Sequence, residues 1–162
     1  MVKALTPAGN ADSDRDILDT LKQEHEEVKE LLADLQTAAT AAQRRRLVEK
    51  IKTALIPHTK AEQKVLYDAV IKLRDKDAQV DGHEGYLEHE LASKTLQRLD
   101  SLPDATSPEH KAAAKVLKEL VEHHIEEEES NVWADAEKNF SREQRAQMNV
   151  AYESAKSRVR VL

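Results

Sequence analysis

Six residues of this chain have the types and spacing of a metal site. His58 and Glu62 stand four apart in "HTKAEQKVLYDA" (58–69), and His124 and Glu128 repeat the pair in "HIEEEESNVWADA" (124–136). Both carboxylates are followed by an aliphatic and then an aromatic residue, Leu66–Tyr67 and Val132–Trp133. Residues at i and i+4 share one helix face, about 6 Å apart along the axis. Each pair can therefore grip one ion, or its Glu can bridge two. His25 and His89 interrupt two further apolar stripes in the same way. A buried carboxylate without a partner is expensive. Two divalent or trivalent cations resolve the problem, since both carboxylates become ligands and the imidazoles supply neutral nitrogens.

Four long helices must bring these side chains together. The first is expected after Ser13 or Asp14, with Asp16 in its first turn and Ile17, Leu18, Leu21, Val28, Leu31, Leu32 and Leu35 on one stripe that His25 completes. The second runs from about Ala42 to Leu73, with His58 and Glu62 between Leu55 and Val65, and Pro57 should kink it just before His58. "DKDAQVDG" (75–82) reads as a connection, so the third helix spans about His83 to Leu102 and carries His89. Ser107 and Pro108 open the fourth, whose stripe passes from Val121 through His124 and Glu128 to Val132 and Ala136. "SREQ" at Ser141 can form a capping box for a last helix with Met148, Ala151, Ala155 and Val159 on one side.

The fold class these patterns predict is all-α: an up-down-up-down antiparallel four-helix bundle with an additional C-terminal helix. Residues 1–12 read as a flexible tail, 13–140 as the bundle, and 141–162 as a helix packed on the bundle, as a lid, or on a partner. Three Gly, one Trp, three Tyr and one Phe in 162 residues also favour helix over sheet. The net charge of −6 argues against a nucleic-acid partner. The lack of cysteine removes thiolate metal sites and thiol catalysis. With no signal-like start or membrane-length apolar run, the expectation is a cytoplasmic protein without a membrane partner, monomeric or weakly dimeric.

Four segments together, "LKQEHEEVKELL" around His25, "HTKAEQKVLY" from His58, "EHELASKTL" around His89 and "HHIEEEESNVW" around His124, resemble the hemerythrin family in its cation-binding domains of the His-His-Glu type. The resemblance runs from about Asp16 to Ala136. It implies two iron ions in an oxo- or hydroxo-bridged di-iron centre, held by His25, His58, Glu62, His89, His124 and Glu128. It further implies a small ligand (oxygen, nitric oxide or hydrogen peroxide) bound for sensing, storage or detoxification. A peroxidase- or catalase-type enzyme and an iron-dependent signalling protein using the C-terminal helix are the alternatives. His and Glu ligands suit manganese and zinc as well.

One departure stands out. Oxygen-carrying members place a further histidine one turn before the position of His89, and here that residue is Gly85. Tyr86 can approach the site, as can His83 if its helix begins early. His123 is expected beside the site or at the surface, Glu129 can orient a ligand, and His110 is expected to face solvent.

Overall fold

A computed structural model describes residues 14–161, and the tail expected over 1–12 lies outside them. Asp16, rather than Ser13 or Asp14, caps the first helix α1 (Ile17–Thr37), its carboxylate accepting from Leu18 N at 3.0 Å. Thr40 and Gln43 form a capping box for α2 (Ala41–Glu62). Pro57 lies inside α2 without ending it. The backbone leaves α geometry later, in a π-helical turn at Gln63–Tyr67 that leads into the short α3 (Asp68–Ile71).

The connection expected over 75–82 is helical. Asp75 caps α4 (Lys76–Ser101), which therefore starts seven residues before His83. Gly82, the last residue of that expected connection, and Gly85 beyond it serve close packing. A Cβ at Gly82 would lie 2.7 Å from Cγ1 of Ile71, and one at Gly85 would lie 2.6 Å from the Tyr67 ring. Ser107 and Pro108 open α5 (Pro108–Glu127) as expected. A second π-helical turn, Glu128–Val132, joins it to α6 (Trp133–Asn139). Ser141 and Gln144 form the anticipated capping box of α7 (Arg142–Lys156).

The described residues are all-helical, without strands. α1 packs on α2 and α5, and α4 packs on α5 and α2, while α7 lies against α1, α2 and the first π turn. Two apolar clusters result. One holds Val28, Leu32, Ile51, Leu55, Leu96, Leu117 and Val121, and the other Ile17, Leu21, Leu66, Tyr67, Val132, Ala136 and Tyr152. Along α1 and along α2 with its π turn, the histidines and Glu62 fall between residues of the first cluster and residues of the second. α7 turns Ala146, Asn149 and Tyr152 inward, whereas Ala151, expected on its apolar side, is exposed.

His110 is buried, contrary to expectation, because Arg44 reaches it from α2. The Arg44 guanidinium donates to Leu35 O at 2.7 Å and Ala38 O at 3.2 Å, carbonyls that the end of α1 leaves without helical partners. Its remaining donors face Nδ1 of His110 at 3.3 and 3.4 Å. Among the described residues, no helix is long and apolar enough to cross a membrane.

Candidate metal centre

The structure brings His25 of α1, His58 and Glu62 of α2, His89 of α4, His124 of α5 and Glu128 of the second π turn into one buried constellation. Glu62 and Glu128 are 0% and 1% exposed. Each carboxylate faces two imidazoles from different parts of the chain. Oε2 of Glu62 lies 3.4 Å from Nε2 of His58 and 3.3 Å from Nε2 of His89. Oε2 of Glu128 lies 3.4 Å from Nε2 of both His25 and His124. The rings of His25 and His58 pair at 5.2 Å between centroids, and those of His89 and His124 at 4.5 Å.

This arrangement fits cations. Among the described residues, none of the four carboxylate oxygens of Glu62 and Glu128 has a hydrogen-bond partner, and neither does Nε2 of His25. Buried polar groups are ordinarily satisfied, and two carboxylates side by side without donors would be strongly destabilising. Ligand atoms of His25, His58 and Glu62 lie within 4.8 Å of one another, and so do those of Glu62, His89 and His124. Such sets can hold a first-row divalent or trivalent ion.

Residues 16–134 match the family described as Hemerythrin HHE cation binding domain. The chain belongs to this metal-binding family. A protein of Nostoc sp. (strain PCC 7120 / SAG 25.82 / UTEX 2576) named DNA nickase is 28% identical to this HHE domain over 151 residues, which make up 93% of the chain and 42% of the relative. The chain thus spans less than half the length of that relative. No solved structure matches.

Three of the four imidazoles of the HHE site are oriented from behind. Nδ1 of His58 donates to Glu24 at 2.9 Å, Nδ1 of His124 to Glu88 at 2.6 Å, and Nδ1 of His25 to Glu129 at 3.0 Å. In each case Nε2 is left for the interior, the usual role of a carboxylate behind a metal-binding histidine. Trp133 stacks on His25 at 5.9 Å and 16°. The expectation for Glu129 fits this geometry. Glu24 and Glu88 were missed, although each directly precedes a site histidine, in "EHEE" and "EHEL".

The position opened by Gly85 is filled by Tyr67, not by Tyr86 or His83. The Tyr67 hydroxyl lies 3.4 Å from Nε2 of His124. Tyr86 instead donates to Asp68 at 2.7 Å and to Gln63 O at 3.2 Å, and His83 is exposed. With α4 beginning at Lys76, His83 sits well inside the helix and a full turn and a half from His89, on the solvent side. His123 is 62% exposed and only skirts the site, 3.7 Å from Glu88.

Electrostatics distinguish the members. Burial works against charge on Glu62, yet His58 and His89 hold its carboxyl well below the usual range. Burial and the charge of Glu62 push Glu128 up. Burial opposes protonation of His58 too, but Glu62 and Glu24 raise it to about 10. His89 falls to about 4, chiefly through burial. Burial, with the charges of Glu128 and Glu62, raises the Tyr67 hydroxyl well above its ordinary value, so it keeps its proton as a donor.

Proposed function

We propose that this HHE domain holds two cations, irons by the resemblance of its motifs, and binds a small diatomic or peroxide ligand for sensing, storage or detoxification. His25 and His58 would hold one ion and His89 and His124 the other, with Glu62 and Glu128 shared between them. The observation that carries this reading is the set of four buried carboxylate oxygens without donors among four imidazoles. The ring of contacts α1–α2–α4–α5, with short connections, supports the up-down-up-down bundle as its scaffold.

When bound, a pair of irons supplies Lewis acidity and exchangeable electrons. The chain's own residues shape the ligand's place. A cavity of about 10 Å³ lies beside His124 and Glu128, with Tyr67, Gly85 and Glu88 on its wall. That is room for about one water-sized group, which favours a ligand of one or two heavy atoms. The Tyr67 hydroxyl offers that space a proton donor, and the π turn after Glu62 carries Tyr67.

The test is metal content by mass spectrometry after anaerobic ferrous loading, with an absorption spectrum before and after peroxide. Close to two irons per chain and near-ultraviolet bands that shift with peroxide are expected. Glu62→Ala and Glu128→Ala should each lower the metal content. No bound metal in the parent protein, or full occupancy in the double variant, would overturn the reading. Repeated peroxide turnover would favour the enzymatic alternative. The Nostoc relative's name favours a second reading, metal-assisted phosphodiester cleavage, because paired metals can clamp both oxygens of such a displacement. Conversion of supercoiled plasmid to nicked circles by the loaded protein is its assay.

A further inference from the structure

α7 lies beyond the segment that matches the family, yet it reaches the site. The Tyr152 hydroxyl donates to Oε2 of Glu24 at 2.5 Å and lies 3.1 Å from Nδ1 of His58. One turn further along α7, the Lys156 ammonium donates to the other oxygen of Glu24 at 2.5 Å. Glu24 therefore has both oxygens tied to α7 while it orients the His58 ring. Tyr152 is fully buried, and its ring meets that of His58 edge-on at 6.2 Å.

The opposite half is built differently. Glu88, behind His124, is approached by His123 of α5 itself, and Nδ1 of His89 has no partner among the described residues. No hydrogen bond from α7 reaches His89 or His124. The two halves of the site share their carboxylates but differ in what stands behind their histidines.

A cavity of about 130 Å³ adds a second, independent feature. It reaches His58 and Glu24 between α1 and α2, with Lys156 on its wall. It can hold a few waters, so it offers a passage between solvent and the His25–His58 half. Lys156, joined to Glu24, stands across that passage.

We propose that α7 is a latch on one half of the centre: Tyr152 and Lys156, through Glu24, position His58 and retard loss of the ion held by His25 and His58. This rests on the two-cation reading above. Tyr152 and Lys156 are positioning residues, since neither touches the ion's place itself. Partners behind a metal-binding histidine commonly alter affinity by about 10- to 100-fold, and the effect here should fall on one ion of the two.

The experiment is a chelator challenge of the fully loaded full-length chain, following release of each metal equivalent over time. Tyr152→Phe, which keeps the buried ring, and Lys156→Met, at a half-buried position, are compared with the parent. Tyr86→Phe, which also loses a tyrosine hydroxyl bond but none near a histidine, is the control. Both latch variants should release one equivalent about tenfold faster, leave the other unchanged, and keep the parent's helicity. In ¹⁵N spectra of the metal-free protein, the ring nitrogens of His58 should move in Tyr152→Phe and not in Tyr86→Phe. Unchanged release in both latch variants would overturn the latch and leave the metal site standing. Equal acceleration of both equivalents would overturn it too, as general loosening. A parent that binds no metal would remove the two-cation reading and the latch with it.

Discussion

Gly85 is the residue whose single missing carbon decides what stands over the His89–His124 half. A Cβ there would meet the Tyr67 ring at 2.6 Å and its hydroxyl oxygen at 2.9 Å. Gly85→Ala should cost about 1–3 kcal/mol through overpacking. Combined with Tyr67→Ala, the loss in urea-melt stability should be smaller than the sum of the two single losses, because the clash vanishes with the ring. His110 provides a second test, far from the metal site. Burial and the Arg44 charge lower its pKa. The unfolded chain binds that proton near pH 6.5 while the folded chain does not, so stability should fall as pH drops below about 6.5. His110→Asn keeps an acceptor for Arg44 and should flatten part of that slope, read as urea midpoints at about pH 7.5 and about pH 5.5. At this scale the convergence of His25, His58, Glu62, His89, His124 and Glu128 was legible because each interrupts an apolar stripe in phase. Glu24 and Glu88 were not, because each serves a histidine on another helix, and one helix's periodicity carries no record of such partners. Tyr67 was noted only as the aromatic that follows Leu66, and its place beside His124 was missed.

Helix starts were the most readable elements, since Ser107 and Ser141 announce themselves by side-chain chemistry. Asp16 was expected in the first turn rather than at the cap, and its position matters. It is buried, caps α1, and receives Nε of Arg145 from α7 at 2.8 Å, while Arg145 also donates to Phe140 O at the end of α6. Asp16→Ala should therefore cost about 2 kcal/mol, a lost cap together with an orphaned guanidinium. The thermal midpoint should drop by several degrees, with the far-ultraviolet helical signal intact below the transition. The two π turns had no local signature. Neither contains Gly or Pro, and Pro57, the residue that seemed able to distort α2, leaves it helical. Both turns instead begin at or just after a site carboxylate, as such turns often do at functional positions. The early start of α4 was hidden in the polar segment 75–82, whose Gly82 packs against Ile71, a contact that no reading of local propensity can reveal.

For the molecule as a whole, the candidate ligands span α1, α2, α4, α5 and the second π turn, so cation binding and the docking of those elements should be one equilibrium. Each equivalent bound only by the folded chain should add about 2.7 kcal/mol at a free concentration a hundred times its Kd. A rise in the thermal midpoint on loading, reversed by chelator, is the expected result, and an unchanged midpoint would refute the coupling. The all-helical class was legible from the stripes; the reach of Tyr152 from α7 to Glu24 was not, because such a partner leaves no mark on one helix's periodicity. The two π turns carry one last consequence. α1 with α2 presents a histidine, then His-x-x-x-Glu, then a π turn, and α4 with α5 presents the same series, each hairpin lending its carboxylate across to the other. Neither hairpin alone therefore completes the constellation, because each supplies a carboxylate that faces a histidine of the other. The site is thus near-symmetric in its donors, and Gly85 with Tyr67 on one side and α7 on the other make its two halves unequal.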